Sequence, residues 1–335
     1  MACDNVALFK PFTMPKRALI VGLNQYDNFR SLTGCVADAT AMNDILARNA
    51  DGGINFQCRL LVSPGPDKIS RALLRRCWHE LFQDFREDVL FYFSGHGAPT
   101  EVGGYLATQD GATGDPGIKM DDVVTMANNS SARTVLLILD CCFSGAAGNA
   151  PNIQGRGLEE SVLLREGVTI LAASRPTGVS MEVGGHGVFT NLVLGALRGG
   201  AADVRGRVSA ASIYAYAEAA LGAWEQRPLY KSHASRLDSV RICEPKVEDA
   251  ILRELPTYFP SSDHAYKLNK TYEELNEAAI PKNVAIFKKF KRLQIAGLLK
   301  PETGDDLFWT AKRSGKVVLT ELGRFYLQLV SNNLI

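Results

Sequence analysis

The first 245 residues alternate between short apolar runs and stretches with helical spacing. Five apolar runs are typical of buried strands, namely residues 17–22, 56–63, 87–93, 134–139 and 168–174. Helices are predicted after the first two, over residues 35–49 and from near Pro66. Strands of continuous apolar residues joined through helices form largely parallel sheets covered on both faces. The pattern therefore predicts an α/β fold.

Three of these strands run into small polar turns. "SGHG" (94–97) follows the third strand, "DCCFSG" (140–145) the fourth and "SRPTG" (174–178) the fifth. Because ligands of such sheets bind at the carboxyl ends of the strands, His96 and the two cysteines Cys141 and Cys142 are expected on one edge.

A thiol beside a histidine at this edge indicates nucleophilic chemistry. A thiol attacks a carbonyl group as thiolate, so it needs a base and donors for the oxyanion that forms. His96 can be the base, and the amides of Gly97 and of the attacking cysteine can be the donors. Taken singly, such a histidine is more often structural and a buried cysteine is more often packing. Their joint position favours a catalytic pair.

The motifs resemble the caspase-like cysteine peptidases, and within them the metacaspases and their bacterial relatives. "YFSGHG" and "LDCCFSG" carry the resemblance with "LTGCVADA" (32–39), "ILAASRPTG" (170–178) and "GHGVFTNLVLGAL" (185–197), over residues 15–245. The resemblance implies a caspase-like fold, in which a mostly parallel sheet is flanked by helices. It also implies that His96 is the general base and Cys142 the nucleophile of an endopeptidase that forms an acyl-enzyme.

The resemblance further implies a pocket for the substrate residue on the acyl side of the cut, lined by Asp38 and Asp140. Two carboxylates in a part-buried pocket favour a cationic guest, arginine above all, so cleavage after Arg or Lys is expected. The alternative for Asp38 is a cap of the helix after Cys35. Ser174 and Arg175 lie on the strand expected to pair with substrate, where an inward Arg175 would weaken the basic preference.

No cofactor is expected for the chemistry, and calcium activation is left open. The stretch from Gly97 to Tyr105 is short and lacks the acidic insertion of many calcium-dependent metacaspases. Asp121 and Asp122 are the candidate calcium ligands, and the alternative for them is a charge pair at a helix N-terminus.

Residues 144–165 are rich in Gly, Ala, Asn and Pro and are expected to form an exposed loop between the large and small parts of the domain. If the pocket takes arginine, the enzyme could cut itself here, at Arg156 or Arg165. An ordinary surface loop is the alternative.

The chain changes character after residue 245. Residues 246–275 are charged and interrupted by prolines, which predicts a linker and a helix, and residues 276–335 form a separate small domain. Ile286, Phe290 and Leu293 have helical spacing, with Gly297 as the stop. Two strands around "KRSGK" and a helix opened by Thr320 and Glu321 are predicted next. This order resembles winged helix-turn-helix domains.

Residues 282–316 carry nine basic and three acidic residues. Such a surface could bind DNA with a strong salt dependence. The whole chain has a net charge of only +1, and fusion to a peptidase suits a recruitment module. Docking of a regulatory protein through residues 246–335 is therefore favoured over DNA.

Composition adds limits on location and class. No run reaches the roughly 18 apolar residues of a spanning helix, and the first residues lack the apolar block of a secretory signal, so a cytoplasmic protein without membrane partners is expected. The seven cysteines are spaced irregularly, which fits neither a disulfide framework nor a zinc site.

Three functional hypotheses follow. The first is a cysteine endopeptidase acting on protein or peptide substrates and regulated through its C-terminal domain; its bacterial relatives suggest a stress, defence or signalling role. The second is a catalytically silent scaffold that binds a peptide, against which the intact His96, Gly97 and Cys142 argue. The third is a DNA-binding regulator whose peptidase domain is a sensor.

Overall fold

The computed structural model describes residues 16–83, 85–100, 103–141, 163–173, 182–183, 186–221, 228–234, 236, 238–304 and 306–335. They cluster into two units. The first unit runs to Ala201 and resumes over Val208–Cys243, and the second comprises Ala202–Arg207 and Glu244–Ile335.

The first unit begins with alternating strands and helices, as expected. In chain order its elements up to the fifth predicted strand are β1 (Lys16–Leu23), α1 (Cys35–Ala47), β2 (Phe56–Ser63), α2 (Arg71–Phe82), β3 (Asp88–Ser94), β4 (Gly97–Thr100), β5 (Gly103–Ala112), β6 (Asp115–Lys119), α3 (Met120–Asn129), β7 (Thr134–Asp140) and β8 (Val168–Ala172). Further elements follow, which are β9 (Glu182–Val183), β10 (His186–Gly187), α4 (Val188–Gly195) with a π-helical turn (Ala196–Gly200), β11 (Arg207–Ser209), α5 (Ala210–Leu221), β12 (Leu229–His233) and β13 (Ser239–Ile242).

Six strands form the central sheet, in the order β12-β8-β7-β3-β1-β2. The five predicted strands are confirmed and pair in parallel, while β12 adds an antiparallel edge against β8. Every residue of β3 is buried, which is why that strand is a continuous apolar run. Since apolar runs on adjacent strands bury both faces of a sheet, the predicted α/β class is confirmed.

Alternate residues of the central strands face opposite layers of helices. Phe91 and Phe93 of β3 join the core that includes Trp78 of α2, whose ring meets that of Phe91 edge-on at 5.1 Å. Tyr92 points to the other layer, where its hydroxyl lies 2.6 Å from Oγ1 of Thr190 in α4. Helix α1 belongs to this second layer, because it contacts α4.

Helix α1 lies unusually close to the sheet at Gly22 of β1. A Cβ at this position would come 2.3 Å from the carbonyl oxygen of Cys35 and 2.6 Å from Cβ of Ala39. Only glycine allows this approach, which brings the first turn of α1 against the carboxyl ends of β1 and β3.

The stretch after His96 differs from the short loop that was expected between Gly97 and Tyr105. β4 and β5 pair as an antiparallel hairpin from Gly97↔Leu106 onward, and β6 completes a three-stranded sheet.

The second unit has its own core. Its elements are α6 (Asp249–Leu252), α7 (Leu255–Tyr258), β14 (Tyr266–Lys267), a 3-10 turn (Lys270–Tyr272), α8 (Pro281–Ile295), β15 (Leu299–Pro301), α9 (Leu307–Lys312), β16 (Lys316–Leu319) and α10 (Glu321–Ser331). Residues 246–275, expected to hold a linker and a helix, instead place Val247, Leu252, Phe259 and Tyr272 in this core. The segment is therefore part of the folded unit and is not a linker.

Two predicted helices are confirmed here. α8 buries Phe290 and Leu293, and the chain leaves it at Gly297 with a positive φ of 76°. Thr320 caps α10, since its Oγ1 accepts a bond of 3.1 Å from the amide of Gly323.

The predicted hairpin around "KRSGK" is wrong in its first strand. Residues 307–312 form α9, which begins where the carboxylate of Asp306 accepts from the amide of Trp309 at 2.8 Å. The second strand is β16, and it pairs with β14 and β15. The two-stranded wing that was predicted around "KRSGK" is therefore not confirmed.

Among the described residues, no helix has both the length and the apolar character needed to cross a bilayer.

Candidate active site

His96 is held from three sides immediately after β3. Its backbone amide donates to the hydroxyl of Tyr26 at 2.8 Å, and its carbonyl oxygen accepts from the amide of Ala107 at 3.0 Å. The rings of Tyr26 and His96 pack with centroids 4.9 Å apart. The imidazole is therefore positioned by a buried tyrosine as well as by the chain on both sides of it.

A further contact, made by the ring itself, determines the tautomer of His96. Its Nε2 lies 2.7 Å from the carbonyl oxygen of Arg30. A carbonyl oxygen can only accept, so Nε2 carries the proton of the neutral ring and Nδ1 has the free lone pair. Nδ1 is thus the atom of this imidazole that can take a proton from a nucleophile.

Strands β3 and β7 end in register beside this histidine. Ser94 and Asp140 are direct partners in the parallel ladder, and the amide of Gly95 donates to the carbonyl oxygen of Asp140 at 3.3 Å. His96 comes two residues after Ser94, and Cys142 comes two residues after Asp140. Cys142 itself lies outside the described residues, whereas its neighbour Cys141 is buried.

Asp38 lies in the first turn of helix α1, only 2% exposed, with its carboxylate surrounded by donors. Nδ1 of His186 lies 2.8 Å from Oδ1, and Oγ of Ser94 donates to Oδ2 at 3.2 Å. The amide of Gly187 lies 3.3 Å from both oxygens. Asp38 therefore does not act as the cap of α1, the alternative that the sequence left open.

Asp140 ends β7, 3% exposed, and is bonded to α4. Its Oδ2 accepts from Oγ1 of Thr190 at 2.6 Å and from the Thr190 amide at 3.2 Å. Because Thr190 has one hydroxyl proton and gives it to the carboxylate, the Tyr92 hydroxyl must donate to Thr190 at 2.6 Å. The chain Tyr92, Thr190, Asp140 satisfies three buried polar groups.

The two carboxylates influence each other electrostatically. Burial and, after it, the nearby charge of Asp140 raise the pKa of Asp38 to about 6, although the bonds from His186, Gly187 and Ser94 oppose the rise. A buried carboxylate beside a second one gains most from a cation.

The remaining predicted site residues differ in what the structure says of them. Ser174, Arg175 and Arg156 lie outside the described residues, as Cys142 does. Gly97 is described as the first residue of β4, directly after His96.

Arg165 is tied to its surroundings. Its guanidinium nitrogens donate to the carbonyl oxygens of Ala132 at 2.7 Å and Ala127 at 3.3 Å, and to Oγ of Ser130 at 2.9 Å. These bonds would have to break before Arg165 could enter a specificity pocket.

Asp121 and Asp122 occupy the first turn of α3. Oδ2 of Asp122 lies 3.3 Å from the guanidinium of Arg75. This position matches the helix N-terminal charge pair that was the alternative to calcium ligands. In the described part of the chain, no group of three or more His, Cys, Asp or Glu side chains converges as a metal site would.

Sequence reasoning missed four contributors, which are Tyr26, the carbonyl of Arg30, His186 and Thr190. His186 had a signal, because the tripeptide "GHG" occurs at 95–97 and again at 185–187. The other three act through contacts between segments far apart in the chain, and no local pattern marks them.

Comparison with protein families agrees with this geometry. A family model described as the caspase domain, Peptidase_C14, matches residues 15–238, which is more than half of the chain. The chain belongs to the caspase-domain family. This family is one of cysteine peptidases, and the caspase-domain resemblance expected from the sequence motifs is confirmed.

Two solved structures are similar to this chain. Protein GSU0716 from Geobacter sulfurreducens is 17% identical, with a TM-score of 0.50 over 69% of this chain and 100% of that chain. A structure of pro-sf-caspase-1 is 13% identical, with a TM-score of 0.47 over 72% of this chain and 96% of that chain. A search of the curated proteins found no match to the chain. The expected caspase-like fold, a mostly parallel sheet flanked by helices, is confirmed.

Proposed function

We propose that this caspase-domain protein is a cysteine endopeptidase in which Cys142 is the nucleophile and His96 the general base. The register of Ser94 with Asp140 carries the proposal. Because these adjacent parallel strands end together, we take His96, two positions after Ser94, and Cys142, two positions after Asp140, as the catalytic pair. The tautomer of His96 supports the same roles, since its Nδ1 is free to accept the thiol proton.

The chemistry then runs in two displacements. His96 takes the proton of Cys142, the thiolate adds to the scissile carbonyl carbon, and the oxyanion accepts bonds from the amides of Gly97 and Cys142. The imidazolium gives its proton to the leaving amine as the C–N bond breaks, which leaves an acyl-enzyme. Water, deprotonated by His96, adds to the thioester, and the thiol leaves with the proton.

Specificity for arginine or lysine on the acyl side of the cut is the second part of the proposal. The buried pair Asp38 and Asp140 supports it, because their mutual repulsion is relieved by a guest cation. A planar guanidinium can bridge two carboxylates, so arginine should be preferred over lysine. Arg175 remains the residue that would weaken this preference if it turned towards the aspartates.

Self-cleavage in the loop of residues 144–165 is proposed at Arg156. Of the two candidate arginines, Arg165 is already bonded to Ala127, Ser130 and Ala132. Mass spectrometry of the purified wild type and of Cys142→Ala tests the site. A wild-type chain that stays intact while it cleaves a peptide would rule out self-processing.

The second unit is proposed to dock a regulatory protein. Three of its basic residues are neutralised within the unit, in the pairs Lys288–Glu274, Lys289–Glu254 and Arg292–Glu248. The unit also exposes large apolar side chains, among them Phe308 and Trp309 at 41% each and Phe325 at 54%. Paired charges and exposed aromatic rings suit a protein partner better than a phosphate backbone.

Anisotropy with a labelled DNA duplex distinguishes the two partners for this unit. The proposal expects weak binding by the full chain at physiological salt. Submicromolar binding that weakens steeply as salt is raised would instead favour the DNA-binding alternative.

The decisive experiment for the enzyme is cleavage of fluorogenic peptides ending in Arg, Lys or Asp. Cleavage after Arg that is lost in Cys142→Ala and weakened in Asp38→Ala supports both the nucleophile and the pocket. Cleavage after Asp alone would assign the pocket to Arg175. No cleavage of any peptide, with or without calcium, would favour the silent scaffold.

A further inference from the structure

His186 is bonded to the carboxylate of Asp38, which is the group proposed to bind the substrate cation. Its Nδ1 lies 2.8 Å from Oδ1 of Asp38, and its side chain is 26% exposed while that of Asp38 is 3% exposed. The imidazole is therefore the most exposed of the groups that are bonded to Asp38. The other donors to Asp38, the amide of Gly187 and the hydroxyl of Ser94, are both buried.

The bonds to Asp38 use most of its acceptor capacity. A carboxylate offers about four lone-pair positions, and three donors from the protein already surround this one. An incoming guanidinium needs acceptor positions on both oxygens to bind in the bidentate way that makes arginine specific. The imidazole is the donor whose removal would leave the buried contacts intact.

We propose that His186 is a specificity-determining residue that bonds to Asp38 while the pocket is empty and competes with the substrate cation for it. The inference rests on the proposed function, because it takes Asp38 as the group that binds the cation. In this role, which we call the placeholder role, the imidazole of His186 bonds to Asp38 until the substrate cation binds there in its place.

The two parts of this role have opposite effects on cation binding. As a donor, His186 favours the charged form of Asp38, so its removal should raise the pKa of that carboxyl and weaken cation binding near pH 6. As a competitor, His186 occupies Oδ1, so its removal should strengthen cation binding at pH 8.5, where the carboxylate is charged either way. The affinity curves of the two proteins should therefore cross between these pH values.

Other groups around Asp38 do not produce such a crossing. Asp140 of β7 raises the pKa of Asp38 in both proteins. Tyr92 of β3 stays neutral, because burial holds its pKa well above its usual value. Helix α4, "VFTNLVLG", has no titratable side chain. Among the groups that face Asp38, only His186 changes in the comparison.

Binding of benzamidine, a small amidinium, to the full chain tests the proposal by calorimetry at pH 6 and pH 8.5. His186→Ala should bind about threefold to tenfold more tightly than the wild type at pH 8.5, the factor expected for one competing hydrogen bond. It should bind more weakly than the wild type at pH 6. Asp38→Asn should abolish binding at both pH values.

Two further variants serve as controls. His79→Ala removes an exposed histidine from α2 and should match the wild type at both pH values. His186→Asn keeps a neutral donor near the position of Nδ1 and should bind as the wild type does. If His186→Ala does not fold, His186→Asn carries the test, and loss of its binding at pH 8.5 would overturn the placeholder role.

The outcomes separate this inference from the proposed function. Suppose the wild type cleaves arginyl peptides and Asp38→Asn abolishes benzamidine binding, but folded His186→Ala binds no more tightly at pH 8.5. Then His186 is only structural and the inference fails alone. If the wild type neither cleaves arginyl peptides nor binds benzamidine through Asp38, the proposed function fails and the inference with it.

Discussion

Ser94 and Asp140 lie directly opposite each other at the last rung of the ladder between β3 and β7. Both are buried, at 2% and 3% exposure, and each lies two residues before a proposed catalytic residue. The pairing of two strands thereby determines the neighbourhood of His96, and the first prediction follows from it.

Replacement of His96 by alanine should slow alkylation of Cys142 by iodoacetamide at neutral pH, because the thiol would lose the base that deprotonates it. The turnover of an arginyl peptide should fall by at least about 100-fold, the usual contribution of a general base. Peptide mass spectrometry reads the alkylation at Cys142 separately from the other cysteines. Equal alkylation rates in the wild type and His96→Ala would argue against the dyad.

Replacement of Asp38 by asparagine should remove cation binding and, relative to the wild type, should make the protein more stable at pH 8 than at pH 4. Burial raises the pKa of Asp38 to about 6 from 3.8, so above pH 6 the wild type carries a buried charge that asparagine lacks. The difference between the two pH values should be about 1–3 kcal/mol. It should arise as the pH falls from 6 to 4, where the folded wild type is protonated. Urea unfolding at both pH values measures this, and an equal effect of the substitution at pH 4 would contradict the charge explanation.

Replacement of Thr190 by valine should destabilise the protein by about 1–3 kcal/mol, since it removes a hydroxyl while keeping the shape. Thr190 is fully buried and links Asp140 to Tyr92. Both partners would be left without their bond to this side chain. Thr190→Ser keeps the hydroxyl and should be much less destabilised. If Thr190→Val destabilises the protein no more than Thr190→Ser does in urea unfolding, the hydroxyl does not make the expected contribution.

Replacement of Gly95 by alanine should displace Tyr26 and loosen His96. The new Cβ would come 2.7 Å from the hydroxyl of Tyr26 and 2.9 Å from Cζ of Phe93. Because the Tyr26 hydroxyl accepts from the amide of His96, turnover should fall more than the melting temperature does. Tyr26→Phe removes only that bond and should give a smaller loss in turnover. Wild-type turnover in Gly95→Ala would show that Tyr26 does not position the histidine.

The sequence alone predicted what local patterns encode. Continuous apolar runs gave the five parallel strands, and the turns after them gave His96 and Asp140 at one edge. Gly297 as a helix stop and Thr320 as a helix cap were also predictable, because both depend on the conformation or bonding of neighbouring residues.

Other features depended on residues far apart in the chain. His186 is bonded to Asp38 across 148 positions, and Tyr26 to His96 across 70. Residues 307–311 are mostly apolar, which does not separate a strand from a short helix. In the folded unit, Leu307, Thr310 and Ala311 are buried while Phe308 and Trp309 are exposed. Packing in the folded unit therefore determined that this stretch is helix α9.

The sequence by itself therefore determined the class of fold, the sheet edge and the candidate base, because strand burial and turn formation are read over a few neighbouring residues. Only the tertiary structure determined the hydrogen bonding and protonation of the side chains at that edge. The tautomer of His96, the donors around Asp38 and the raised pKa of that carboxyl all arise from burial and from contacts between distant segments.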